Sequence, residues 1–277
     1  MADVALFVHS TGVGPFMWTK LLVGLPEGIA PLTPTNRGYS PNDLLARGAP
    51  FSLQDEVAHL KAQIPEGTTG VHLGGHSYGG LVALSLAMDP AVPVRSLWLY
   101  EPVLFGSLNA DIDSLPAEVA QHVRDLFTDR EFLLNEETGG NDAWLARFVD
   151  YWNFPGMWAS MPDKAKLMAR AVGWKMYQEV RMVSQEPEPF AHYRLSVPTT
   201  LVYGERTQPP AAEMVRRLAA VNPHAEVTEL QGQGHMAVVG APDAVLPTLQ
   251  AHWSRVAGTQ AATAAPTTAT IATRGAA

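Results

Sequence analysis

A chain of 277 residues, 47% hydrophobic and carrying a net charge of −8 from 19 basic and 27 acidic side chains, can bury one large core or two modest ones. The acidic balance without basic runs argues against nucleic acid and anionic membrane as partners, and the absence of cysteine excludes disulfides, a thiolate nucleophile and cysteine-ligated metal. The opening MADVALFVHS has neither the basic start nor the apolar length of a secretion signal, and no apolar run reaches membrane-spanning length, so a soluble, cytoplasmic protein is expected.

Residues 4–8 (VALFV) are an apolar run of strand length, followed by the loop His9-Ser10-Thr11-Gly12-Val13-Gly14-Pro15. Residues 16–25 read as a helix. A strand, a Gly-x-Gly loop and a helix could pass for a dinucleotide-binding unit. However, Met17 stands where the third glycine belongs, and the next strand, residues 29–32, ends without a carboxylate for a ribose. Ser52, with Asp55 three residues on, opens a helix to about residue 64. The stretch 71–84, VHLGGHSYGGLVAL, reads as strand, sharp turn and helix, and residues 96–100 (SLWLY) form a fourth strand ending at Glu101-Pro102.

From 104 to 189 strand signals vanish. Helical stretches are separated by Pro116, Gly139-Gly140, Pro155-Gly156 and Pro162, and four of the seven tryptophans lie here (Trp144, Trp152, Trp158, Trp174). Strand and helix then alternate again: 200–203, 211–221, 225–230 and 242–253. Alternation of this kind specifies an α/β class, with a mostly parallel sheet covered by helices on both faces. The expected organisation is a core of residues 1–103 and 190–256, a helical cap over 104–189, and a disordered Ala/Thr-rich tail over 257–277.

The turn Gly75-His76-Ser77-Tyr78-Gly79 spells G-x-S-x-G. The bare pattern is weak; the strand before it and the helix after it supply the context that makes Ser77 a nucleophile candidate, held in a strained turn whose flanking residues have no room for Cβ atoms. A serine hydroxyl needs a base, and the base an orienting acid. Of nine histidines, His235 alone sits in a small-residue loop (GQGHM) just past the last strand. No histidine spacing suggests a metal.

Together, the H-x-x-G-x-G loop, the G-H-S-Y-G-G turn, the helical insertion and the late G-H loop resemble the α/β-hydrolase fold across residues 2–256. The resemblance implies an oxyanion hole made by the backbone N–H groups of Thr11 and Tyr78. It also places the usual acid in a G-x-x-D turn, where this chain has Gly204-Glu205-Arg206-Thr207. Glu101, just after the fourth strand, occupies the alternative acid position of some relatives and is the preferred assignment; Glu205 and a Ser–His dyad stay open.

Ser10 stands where the family often has glycine and hydroxynitrile lyases have threonine, so it is a substrate-binding candidate and keeps lyase chemistry in view. Met236 replaces the lysine such lyases carry after the histidine, which favours hydrolysis. Trp144, Trp152 and Trp158 are the cap candidates for an apolar substrate, with most aromatics of the segment expected to pack the cap itself. The reading is a cofactor-free serine hydrolase acting on an ester, thioester or lactone of a largely apolar small molecule. The alternatives are a carbon–carbon hydrolase or lyase on the same site, or a catalytically weak ligand-binding protein.

Overall fold

In the computed structural model, which describes residues 3–264, six strands form one parallel sheet: β1 (Val4–Val8), β2 (Ala30–Leu32), β3 (Val71–His76), β4 (Val94–Tyr100), β5 (Thr199–Gly204) and β6 (Glu226–Leu230). Their order is β2-β1-β3-β4-β5-β6. The sheet therefore winds outward in both directions from β1 and β3, and the crevice beyond the carboxyl ends of that pair is where such sheets hold ligands.

The strands read as continuous apolar runs because both faces are covered. Successive side chains point to opposite faces, so Leu6, Val8, Leu73, Leu97, Leu99 and Leu201 join one core with α1 (Leu53–Lys61) and α2 (Tyr78–Met88). Ala5, Phe7, Trp98, Tyr100 and Val202 join a second core with α10 (Ala237–Gly240) and α11 (Pro242–Ala264). Ser52 caps α1 as expected, its hydroxyl accepting from the Asp55 N–H at 3.1 Å. The helix α9 (Pro209–Val221) lies with the first core through Met214, Val215 and Leu218.

Between β4 and β5 the described residues form helices joined by loops, with no strand: α3 (Phe105–Ala110), α4 (Ala117–Thr128), α5 (Arg130–Leu134), α6 (Asp142–Trp152), α7 (Met157–Ser160) and α8 (Asp163–Gln185). This insertion has its own small core of Phe132, Leu145, Trp144, Trp158, Trp174 and Tyr177.

Two expectations change. Residues 16–25 are not one helix but two tight 3₁₀ turns, Pro15–Trp18 and Leu22–Gly24. They leave Phe16 and Val23 in solvent and bury Met17, Trp18 and Leu21 against Phe7 and Trp98. Burial of those three side chains on the sheet, not helical periodicity, sets the path. Residues 257–264, expected to be disordered, continue α11. Half of these residues are alanine, the best helix former, and they extend a helix already nucleated despite Gly258, Thr259 and Thr263. The rest of the expected tail, 265–277, lies outside the described residues. Among the described residues no helix is long and apolar enough to cross a membrane.

Candidate active site

The turn between β3 and α2 is tight enough to dictate its glycines. A Cβ on Gly79 would lie 2.2 Å from the Val8 carbonyl oxygen, and one on Gly75 would lie 2.5 Å from the Gly79 oxygen. The obstacle is backbone in both cases, because α2 starts directly against β1 and its own turn. The room that the flanking residues lack is thus taken up by neighbouring backbone, not by the serine. Ser77 itself has φ 57° and ψ −124°, a conformation that L residues avoid.

Among the described residues one other non-glycine has a positive φ: Glu101, at 43°. The sheet register puts the two together. His76 pairs with Tyr100, and Tyr100 with Val202, so Ser77 and Glu101 are the first residues past adjacent paired positions. The Ser77 N–H donates to the Tyr100 carbonyl and the Glu101 N–H to that of Val202.

The Glu101 carboxylate is fully buried and takes three donors. Its Oε1 accepts from the Gly204 N–H at 2.8 Å; its Oε2 accepts from the Thr207 hydroxyl at 2.6 Å and faces His235 Nδ1 at 2.6 Å. Glu205, the rival acid, is exposed and accepts the Gly232 N–H instead. Thr207, at the position where the resembled fold has its acid, instead donates its hydroxyl to Glu101. A hydroxyl cannot compensate an imidazolium, and no short-range pattern signals that Thr207 and Glu101, so far apart in the chain, meet.

The His235 loop is fastened from beneath. His76 Nε2–H donates to the His235 carbonyl at 2.9 Å, and the Tyr100 hydroxyl donates to the Gly234 carbonyl at 2.8 Å. Burial holds the His76 pKa well below its ordinary value, so that ring stays neutral beside His235, 4.7 Å away between centroids. The loop after β1 is pinned similarly. His9 Nε2 accepts from the Asn36 N–H at 2.9 Å, which leaves the proton on Nδ1 for the Ser10 carbonyl. Burial lowers the His9 pKa to about 4, keeping it in that neutral form.

A cavity of about 630 Å³ opens above the crevice, a volume suited to a small-molecule ligand. Ser77, Thr11 and Tyr78 form its floor, and Val103, Phe105, Phe148, Trp152, Val180 and Val183 are among its apolar walls. Tyr78 is the first residue of α2, so its backbone N–H has no partner within the helix. The Trp152 ring stacks on the His235 imidazole with centroids 3.8 Å apart and planes inclined by 26°.

Four sequence candidates for substrate contact are placed elsewhere. Trp144 lies in the core of the insertion, stacked on Phe132 and Phe148 and donating its indole N–H to the Phe132 carbonyl. Trp158 is buried in the same core under Arg170. Ser10 is buried with its hydroxyl directed to Met17 Sδ at 3.9 Å, and it is not among the cavity's lining residues. Met236 precedes α10 and does not line the cavity. Periodicity identifies aromatic residues on a helix, but only packing shows which face meets the insertion's core and which meets the void.

A model of the alpha/beta hydrolase family matches residues 5–248. Lipase 1 of Psychrobacter immobilis is 21% identical over 246 residues, covering 86% of this chain and 73% of that protein. A carboxylesterase structure from Nitrososphaera gargenis superposes with a TM-score of 0.67 at 16% identity, covering 93% of this chain and 92% of the other. The enol-lactonase of Burkholderia xenovorans LB400 does so with a TM-score of 0.62 at 16% identity, covering 92% of each chain.

Proposed function

We propose that this chain, which belongs to the alpha/beta hydrolase family, is a serine hydrolase that cleaves an ester, thioester or lactone of a largely apolar small molecule. One observation carries the reading. Ser77 and Glu101 alone among described non-glycine residues have positive φ, and the second of them contacts His235 at 2.6 Å. Strain of this kind persists where surrounding structure enforces it, and it collects at functional sites.

In this mechanism the Ser77 hydroxyl adds to the substrate carbonyl carbon while its proton passes to His235 Nε2. Glu101 keeps the other imidazole proton on Nδ1 and stabilises the imidazolium that forms. The carbonyl oxygen becomes an oxyanion held by the Thr11 and Tyr78 N–H groups, with the positive end of α2 behind it. The tetrahedral adduct expels the alcohol or thiol, which takes the proton from His235, and water then attacks the acyl-enzyme by the same route. Nothing in this sequence of steps draws on a cofactor. The helical insertion serves as the cap, and its apolar walls support an apolar acyl or alcohol portion. Lyase chemistry rested on a hydroxyl at Ser10 reaching the substrate, and the orientation of Ser10 toward Met17 lends it no support.

Intact-mass labelling with a fluorophosphonate tests the reading. One adduct on the wild type, absent in Ser77→Ala, followed by turnover across a series of esters of varied chain length, is the expected result. A folded wild type that neither labels nor turns over any ester or lactone overturns it.

A further inference from the structure

Behind the floor of the cavity lies a buried ionic cluster that the mechanism above does not use. Lys175, on α8 of the cap, is 1% exposed. Its Nζ donates to Glu56 Oε2 at 2.6 Å, lies 3.0 Å from Glu179 Oε1, and sits 3.6 Å over the Phe51 ring. Both carboxylates are fully buried.

Each carboxylate leads to one side of the cavity floor. Glu179 Oε2 accepts from the Tyr39 hydroxyl at 2.8 Å, and that oxygen in turn accepts from the Gly12 backbone N–H at 2.9 Å. Glu56 Oε2 accepts from the Tyr78 hydroxyl at 3.0 Å, while its Oε1 accepts from the Arg37 N–H at 2.7 Å. One ammonium from the cap thus bridges two acids, one fastened to the Thr11–Gly12 loop and the other to Tyr78. The same helix presses on that loop directly, since a Cβ on Gly12 would lie 2.7 Å from the Met176 methyl.

We propose that Lys175 is a positioning residue that sets the separation of the Thr11 and Tyr78 backbone donors from the cap, through Glu179 and Tyr39 on one side and Glu56 on the other. The inference rests on the serine-hydrolase reading, since the donors matter only if an oxyanion forms between them. Two acids and one base in a space closed to water hold a fixed geometry, because moving any member strands another without a partner. Docking of α8 therefore completes the oxyanion hole as well as roofing the cavity. A loop freed by about an ångström loses transition-state stabilisation while substrate binding to the apolar walls persists.

The test uses the full chain and three variants. Tyr39→Phe cuts the Glu179 arm and Tyr78→Phe the Glu56 arm, each keeping its ring; Lys175→Met removes the bridge. Ester turnover is measured alongside affinity for an aryl trifluoromethyl ketone, whose carbonyl Ser77 converts to an oxyanion adduct, and for the matching carbinol, which cannot react. The expected result is a fall in kcat of about 10–100-fold in either Tyr variant with KM within about twofold. Affinity for the ketone should fall in parallel and that for the carbinol should be unchanged.

Should Lys175→Met not fold, the two Tyr variants decide the matter. Wild-type kcat and ketone affinity in both of them overturn the inference while leaving the serine-hydrolase reading intact. Equal losses for ketone and carbinol also overturn it, since that pattern marks general loosening of the fold. A wild type that neither labels at Ser77 nor turns over esters overturns the reading and the inference together.

Discussion

Replacing Glu101 by Gln changes one oxygen to an NH2 and alters little else, so its consequence follows from the hydrogen bonds of the carboxylate. The Gly204 N–H requires an acceptor at the Oε1 position, which fixes the amide oxygen there. The amide NH2 then occupies the Oε2 position, facing Thr207 and His235 Nδ1. The threonine hydroxyl adapts by rotating to accept. The imidazole adapts only by giving up its Nδ1 proton, which places the remaining proton on Nε2, the nitrogen that must receive the proton of Ser77.

A triad locked in that tautomer loses about 10⁴ in kcat, equivalent to about 5.5 kcal/mol of transition-state stabilisation. Because every buried donor keeps a partner, the cost in stability should be only about 1–2 kcal/mol. Ester turnover, fluorophosphonate labelling rate and thermal midpoint together check both halves. Glu205→Gln, at an exposed carboxylate that holds only the Gly232 N–H, should keep activity within about twofold. A Glu101→Gln enzyme within tenfold of wild type, or a matching loss in Glu205→Gln, would refute the reasoning.

Three further outcomes are expected. His9 and His252 are buried neutral, with pKa values lowered by desolvation to about 4 and about 3, so their contribution to stability is complete above pH 6.5 and is lost as pH falls below it. At pH 5 each costs about 2 kcal/mol, and urea midpoints unchanged between pH 7.5 and pH 5 would contradict this. Ser77→Gly should abolish labelling yet stabilise the fold by about 1 kcal/mol, because glycine adopts the serine's φ of 57° without strain; a lowered thermal midpoint would count against strain at the turn. Trp152→Ala removes the ring stacked on His235 and enlarges the cavity. It should raise KM for short apolar esters about tenfold and shift preference to longer chains, as a chain-length series read for kcat/KM would show.

Much of the architecture was legible in the chain because its causes are local. Two-residue alternation such as Leu97/Leu99 against Trp98/Tyr100 fills both faces of a buried strand, the Ser52 cap starts α1, and the glycines around Ser77 are the residues its turn can accommodate. Where a local signal competed with burial, burial prevailed. The segment after Pro15 turned twice to bury Met17, Trp18 and Leu21 on the sheet, although its apolar spacing suggested a helix.

The sequence alone determined the α/β class, Ser77 in its turn, and His235 as the one histidine in a suitable loop, because backbone conformation and periodicity depend on neighbours a few residues apart. Tertiary structure alone decided that Glu101 rather than Glu205 faces His235, that Thr207 supports it, that Trp152 and not Trp144 or Trp158 meets the cavity, and that Lys175 joins Glu56 to Glu179. The partners in those contacts are mostly more than a hundred residues apart in the chain. Their meeting depends on strand register and on how the helical insertion seats on the sheet, and short-range patterns in the sequence carry no record of either.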